Sequence, residues 1–140
     1  MFPKIAVTIL ASAVSLAGCH SVVGKKPGAE AVKIVSVEEV AGFVKAKSAT
    51  VYDANGAETR QKYGVVPGAI LLSDHEAYPL SELPSEKSLK LVFYCGGLMC
   101  RASDAAAERA AGAGYTDVNV MRAGIKGWAS AGQPTSVPQS

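Results

Sequence analysis

Residues 89–113 read LKLVFYCGGLMCRASDAAAERAAGA, and this stretch joins two patterns that set the class of the fold. It begins with a β-prone apolar run, interrupted by Lys90 and ending at Cys95, which predicts a buried strand. Two glycines then break regular structure, and an alanine-rich segment from about Arg101 predicts a helix that ends near Gly112. We therefore expect a thiol on a tight turn between a strand and a helix N-terminus.

The turn after this strand is suited to an anion. Amide groups at a helix N-terminus lack intrahelical partners and lie at the positive end of the helix dipole. Gly96 and Gly97 allow the backbone to curl so that several N–H groups converge. The anion expected there is a thiolate, a persulfide or the oxyanion of a substrate.

The composition indicates one domain with accessory segments. The chain has 140 residues, of which 49% are hydrophobic, and this is enough for a core. A net charge of +2 without a basic stripe or an aromatic platform argues against a nucleic-acid partner. Three cysteines are too few for a disulfide scaffold, and their spacing matches no metal site. The sequence predicts no metal and no cofactor.

Residues 1–18 have the pattern of a secretory signal peptide. A short basic start precedes an uncharged apolar run at 5–17, which is too short to span a membrane comfortably as a mature helix. The sequence LAGC at 16–19 resembles the lipobox of bacterial lipoproteins, which implies that Cys19 is the lipidated first residue of the mature chain. The alternative is an ordinary signal peptide or a plain anchor, with Cys19 unmodified.

Lipidation would anchor the protein on the periplasmic side of a bacterial membrane. The periplasm is an oxidising compartment. His20, rather than an aspartate, follows the cysteine, and by the habit of that class this favours the outer membrane. Residues 19–31 contain two glycines, two lysines and a proline and are predicted to be a flexible tether. The domain is predicted at 32–135, followed by a tail at 136–140.

Short apolar strands alternate with helices along this domain. Strands are predicted at 31–35, 50–52, 70–72, 89–94 and 118–121, and helices at 37–45, 57–63, from 101 and at 124–131. Ser36 and Glu39 form a capping-box pattern before the first helix. Such alternation predicts a parallel sheet covered on both faces, with sites beyond the carboxyl ends of its strands. Cys95 lies at such an end.

Several short segments, taken in their order and spacing, resemble a single-domain rhodanese over roughly residues 32–135. They are Asp53, VPGA at 66–69, VFYC at 92–95, GYTDV at 114–118, GIKGW at 124–128 and AGQP at 131–134. The resemblance implies a rhodanese-like three-layer α/β fold, with a central, mostly parallel five-stranded sheet flanked by helices. It also implies that Cys95 is the catalytic cysteine of a sulfurtransferase.

The chain departs from the common rhodanese pattern. Asn55 stands where the family often has arginine, and the loop after Cys95 is one residue longer than the common C-x-x-G-x-R. Cys100 therefore takes the fifth position and Arg101 the sixth. Rhodanese-fold phosphatases and arsenate reductases share this longer spacing, but they usually place histidine before the cysteine, where this chain has Tyr94.

The favoured chemistry is sulfur transfer from a small anionic donor such as thiosulfate, through a Cys95 persulfide, to a thiol or cyanide acceptor. Arg101 is a candidate to hold the oxyanion through its fork of donors, or else a solvated residue of the first helical turn. The other reading of Cys95 is an inert, buried cysteine. The predicted substrate-binding residues are Gly96, Gly97, Leu98, Met99, Cys100 and Arg101.

Cys100 is a candidate resolving thiol that forms an internal disulfide with Cys95, or else a small apolar residue of the loop. A phosphatase or arsenate reductase is the second function, although such chemistry needs a positioned acid and none is obvious. A non-catalytic accessory that binds a sulfur species or a partner protein is the third. Asp53 is predicted to be structural, and His75 to be a surface residue.

Overall fold

The computed structural model describes residues 31–138 and contains a five-stranded sheet in which every strand pairing is parallel. The strand order is β1-β5-β4-β2-β3, so β4 lies at the centre. The strands are β1 (Val32–Ile34), β2 (Thr50–Asp53), β3 (Ile70–Leu71), β4 (Lys90–Tyr94) and β5 (Asp117–Met121). The helices are α1 (Val37–Ala46), α2 (Ala57–Tyr63), α3 (Ala102–Gly112) and α4 (Gly124–Ser130), with a 3₁₀ turn at Leu80–Glu82.

Two hydrophobic layers cover the sheet because its side chains alternate between faces. Leu91 and Phe93 of β4 belong to the layer under α3. Val92 and Tyr94 belong to the layer that contains buried residues of α1 and α4, including Trp128. The sheet therefore lies between α3 on one face and α1 and α4 on the other, which is the three-layer α/β architecture. The predicted fold class is confirmed.

The first helix begins where the capping box predicts. The Ser36 hydroxyl accepts a hydrogen bond from the amide of Glu39 at 3.2 Å, and the Ser36 amide donates to Glu39 Oε2 at 2.7 Å. Such a cap stabilises a helix by about 1 kcal/mol. The α3 helix packs closely because its buried face is made of small residues: Ser103, Ala106, Ala107, Ala110 and Ala111.

Asp53 ties together the ends of the two strands nearest the predicted site. It is fully buried, and its Oδ1 accepts hydrogen bonds from the Asn55 amide at 2.7 Å and from Arg60 Nε at 3.2 Å. Tyr94 donates its hydroxyl hydrogen to Asp53 Oδ2 at 2.5 Å and accepts a hydrogen bond from the Val66 amide at 3.0 Å. Burial, and then the Asp53 carboxylate, raise the pKa of Tyr94 above its usual range. The structural role predicted for Asp53 is confirmed.

Small differences from the predicted elements occur at strand ends. The third strand ends at Leu71 rather than at residue 72, while Leu72 remains buried and its amide still bonds the Asp53 carbonyl. The predicted signal peptide, Cys19 and the predicted tether up to residue 30 lie outside the described residues. Among residues 31–138, no helix has the length and apolar character needed to cross a membrane.

Candidate active site

Cys95 follows the central strand β4 and points into the layer under α3. Its place in the alternation after Leu91 and Phe93 fixes this direction. Only 2% of its surface is exposed, and its Sγ lies 3.3 Å from the hydroxyl oxygen of Ser103. Because Ser103 belongs to the first turn of α3, the sulfur lies against the end of the helix dipole that favours an anion.

The loop that follows Cys95 is held by the beginning of α4. The carbonyl of Cys95 accepts a hydrogen bond from the Ile125 amide at 2.9 Å, and that of Gly96 from the Lys126 amide at 3.1 Å. Gly124 permits this approach: its φ is +62°, and a Cβ there would lie 2.5 Å from the Gly97 nitrogen. The loop and α4 therefore form one packed unit.

Cys100 folds back over Cys95. A turn places the Cys100 amide 2.9 Å from the carbonyl of Gly97, and the two cysteines are joined as a disulfide with their Cα atoms 6.3 Å apart. This separation lies in the range that disulfides ordinarily occupy. The two thiols that the sequence marked are thus direct neighbours, whereas the resolving role of Cys100 stays a prediction.

Several backbone amides of the loop have no hydrogen-bond acceptor in the part of the chain that the structure describes. Within residues 31–138, the amides of Gly96, Gly97, Leu98 and Met99 donate no backbone hydrogen bond. Unpaired amides that are grouped in this way attract anionic ligands. Leu98 and Met99 also carry exposed side chains, at 77% and 95%, so they form the outer rim of the loop.

A groove of about 680 Å³ lies beside the loop, and we call it the loop groove. Asn55 on one side is 8% exposed, and its Nδ2 has no hydrogen-bond partner among residues 31–138. Lys126 on the opposite side brings a cation, and its Nζ lies 5.2 Å from the centre of the Tyr63 ring. The groove is lined by Asn55, Thr59, Tyr63, Gly96, Gly97, Leu98, Met99, Cys100, Ala123, Lys126, Gly127 and Ser130.

Two predicted site residues lie outside this lining. Cys95 is buried beneath the loop, whereas Cys100 is partly exposed and belongs to the lining of the groove. The Arg101 side chain is 77% exposed and bonds Asp104 Oδ2 at 3.2 Å, while Asp104 also pairs with Arg122 at 3.2 Å. The structure therefore brings residues 96–100 to the groove but not the Arg101 guanidinium, whose anion-binding role stays a prediction.

Sequence reasoning missed four residues that shape the site: Ser103, Asn55, Lys126 and Gly124. Ser103 lies in an alanine-rich segment and has the appearance of a routine helix residue. Asn55 stands out in the sequence only as a departure from a motif, although its position two residues after Asp53 is a usable signal. Lys126 and Gly124 come from a distant part of the chain, and only the packing of α4 on the loop brings them here.

Known structures share this architecture at low sequence identity. A protein of unknown function from Rhodopseudomonas palustris CGA009, described as a possible tyrosine phosphatase, has a TM-score of 0.63 and 19% identity over 76% of this chain and 86% of its own. A rhodanese-related protein from Thermoplasma volcanium has a TM-score of 0.56 and 22% identity over 76% of this chain and 99% of its own. At these identities the likeness concerns the fold alone.

A thiosulfate sulfurtransferase from Pseudomonas aeruginosa has a TM-score of 0.60 and 21% identity over 79% of this chain, which corresponds to 21% of that longer protein. No curated protein matches this sequence. The model of the rhodanese-like domain family matches residues 36–131, a segment that runs from the cap of α1 to the end of α4. The chain therefore belongs to the rhodanese-like domain family.

Proposed function

We propose that this protein is a sulfurtransferase in which Cys95 carries the sulfur. What supports the proposal is the position of Cys95 at the carboxyl end of the central strand, against the first turn of α3 and under a loop with unpaired amides. In the reduced protein, Ser103 is placed to donate a hydrogen bond to the Cys95 thiolate. That bond and the helix dipole favour the thiolate, which is the form of the sulfur that attacks.

The reaction has two steps. The Cys95 thiolate attacks the outer sulfur of thiosulfate, the S–S bond of the donor breaks, and sulfite leaves with the electron pair. Cys95 then holds a persulfide, and the attack of cyanide or a thiolate on its outer sulfur releases thiocyanate or a new persulfide and restores the Cys95 thiolate. Two groove residues suit the negative charge of thiosulfate. Lys126 supplies a cation, and Asn55 supplies an N–H group that has no hydrogen-bond partner among residues 31–138.

The experiment is a sulfur-loading assay on protein reduced with a dithiol and then freed of it. Thiosulfate is added, followed by cyanide, and the protein mass and the thiocyanate are both recorded. We expect a mass gain of one sulfur and thiocyanate formation in Cys100→Ser, which keeps Cys95 as the one thiol among residues 31–138, and neither in Cys95→Ser. A Cys95→Ser protein that forms thiocyanate at the rate of Cys100→Ser would refute the assignment of Cys95.

A phosphatase or arsenate reductase is the second candidate. The spacing of Cys95 and Arg101 favours it, and so does the description of the R. palustris protein as a possible tyrosine phosphatase. The pairing of Arg101 with Asp104 weighs against it, because the guanidinium would have to leave that partner to hold an oxyanion. Turnover of aryl phosphates or arsenate by reduced protein, without any persulfide, would establish this candidate instead.

The third candidate is a non-catalytic accessory protein. A persulfide that forms on Cys95 but passes to no acceptor would indicate that role.

We also propose that lipid on Cys19 tethers the domain to a bacterial membrane on the periplasmic side, with the outer membrane favoured. The support is the basic start, the apolar run and the LAGC sequence at 16–19. Metabolic labelling with palmitate tests it: label is expected in the unaltered chain and is expected to be absent from Cys19→Ala. Equal labelling of both chains would contradict the proposal.

A further inference from the structure

The pairing of Cys95 with Cys100 suggests an activity beyond simple sulfur transfer. The turn that joins the Cys100 amide to the Gly97 carbonyl, together with the bonds from α4 to the loop, fixes the two Cα atoms 6.3 Å apart. The backbone therefore holds the Cys100 sulfur beside the Cys95 sulfur. No other thiol lies in the part of the chain that the structure describes.

We propose that Cys100 discharges the Cys95 persulfide from within and releases sulfide, so that the protein acts as a dithiol-dependent thiosulfate reductase. This inference rests on the proposed persulfide. The Cys100 thiolate attacks the Cys95 sulfur, a bond forms between the two protein sulfurs, and the bond to the outer sulfur breaks. The outer sulfur leaves as hydrosulfide with the electron pair.

The structure favours attack on the inner sulfur. The product of that attack is the Cys95–Cys100 disulfide, which is the arrangement that the fold contains. Attack on the outer sulfur would instead move the persulfide to Cys100 and leave the two cysteines unlinked. An intramolecular nucleophile held in place also reacts far faster than a dilute external thiol, because its orientation is already fixed.

Return to the reduced state needs an external dithiol, and the burial of the two cysteines decides where it attacks. Cys95 is 2% exposed, whereas Cys100 is partly exposed and faces the loop groove. A thiolate from the dithiol reaches the Cys100 sulfur, and Cys95 leaves as the thiolate near Ser103. The second thiol of the reductant then frees Cys100.

The complete cycle balances. Thiosulfate and one dithiol give sulfite, hydrosulfide, one proton and one disulfide of the reductant, and the protein returns unchanged. The dithiol supplies the two electrons that reduce the outer sulfur. The Cys95 persulfide thus has two possible fates. It passes its outer sulfur to cyanide, or the Cys100 thiolate displaces that sulfur as hydrosulfide.

The test uses the full chain in detergent with Cys19→Ser, so that Cys95 and Cys100 are the only thiols. Dithiothreitol reduces the protein and is removed without air, one equivalent of thiosulfate is added, and sulfide and protein mass are followed. We expect one equivalent of sulfide without added thiol, and a protein that ends two hydrogen atoms lighter than its reduced form. Cys100→Ser and Cys100→Ala should keep the added sulfur and release sulfide at least about tenfold more slowly, because the intramolecular nucleophile is gone. Ser85→Ala, an exposed substitution outside the loop groove, is the control.

The outcomes separate this inference from the proposed function. A persulfide that persists in the chain with both cysteines, or equally fast sulfide release from the Cys100 variants, overturns the inference and leaves sulfur transfer intact. A persulfide found on Cys100 also overturns it, because the sulfur was then relayed and not released. Absence of any persulfide in reduced Cys100→Ser overturns both proposals together.

Discussion

Replacing Gly124 with alanine tests whether the start of α4 holds the loop in place. The new Cβ would lie 2.5 Å from the Gly97 nitrogen and 2.6 Å from both the Cys95 oxygen and the Gly96 carbon. Ordinary contacts of a Cβ lie near 3.4–4 Å, and these three neighbours are backbone atoms that no rotamer change can move. The loop and the helix would have to separate.

Two terms set the size of the effect. The φ of +62° costs a non-glycine residue about 1–2 kcal/mol, and overpacking of a close contact adds about 1–3 kcal/mol. We therefore expect Gly124→Ala to lower the free energy of unfolding by about 2–5 kcal/mol. Because the loop moves with the helix, loading of sulfur onto Cys95 should fall in the same variant under conditions where it remains folded.

Substitutions at two further glycines separate the cost of the positive φ from the cost of the close contact. Gly132 has a φ of +74° but no atom within 4 Å of a built Cβ, so Gly132→Ala should cost only the backbone term of about 1–2 kcal/mol. Gly42 lies inside α1, also with open space around it, so Gly42→Ala should stabilise by about 0.5–1 kcal/mol. Urea denaturation of the reduced proteins measures all three. Equal losses for Gly124→Ala and Gly132→Ala would refute the close packing of α4 on the loop.

Three further predictions follow from the loop groove, the buried tyrosines and the N-terminus. Lys126→Gln should raise the KM for thiosulfate about twofold to fivefold, the effect of an exposed ion pair of about 0.5–1 kcal/mol, and Arg101→Gln should raise it less. Lys45→Gln, outside the groove, is the matched control, and an equal KM in all three variants would contradict the role of Lys126. Burial raises the pKa of Tyr52 to about 12, so the folded state retains a proton that the unfolded chain loses above pH 10 and stability falls there. Between pH 9 and pH 11 the parent protein should lose about 1 kcal/mol more than Tyr52→Phe, and parallel losses would contradict the shift. Cys19→Ala should move the protein from the membrane fraction to the soluble periplasmic fraction, and retention in the membrane would argue against a lipid anchor.

The sequence was sufficient for the fold because local and global signals agree. The apolar run up to Tyr94, the capping box at Ser36 and the alanine-rich helix each specify one element, and the alternation of strands and helices specifies a parallel sheet. Asp53 was also predictable as a structural residue, since a carboxylate at the end of a buried strand needs local donors. Its bonds to Arg60 and Tyr94 could not be predicted, because they join residues 7 and 41 positions away.

The site was predictable only along the continuous loop. Residues 96–100 follow the nucleophile in sequence and reach the groove together. The direction of the Arg101 side chain depends on its ion pair with Asp104. Asp104 also pairs with Arg122, which is far from it in sequence. The contact between Cys95 and Ser103 depends on the register of α3 against β4, and packing sets that register.

Under the mechanism proposed above, the burial of Cys95 and the partial exposure of Cys100 give the two sulfurs different roles. A thiolate that is shielded by the loop and stabilised by Ser103 is protected from oxidants but is poorly reached by a bulky thiol. Cys100, which is partly exposed and lines the groove, would supply that access, because thiol–disulfide exchange proceeds at the sulfur that the incoming thiolate can reach. In an oxidising compartment the pair would rest as a disulfide, and sulfur chemistry would begin only after a dithiol had reduced Cys100. On the proposals made above, the supply of reducing dithiol therefore controls both whether Cys95 accepts sulfur and whether that sulfur leaves as sulfide.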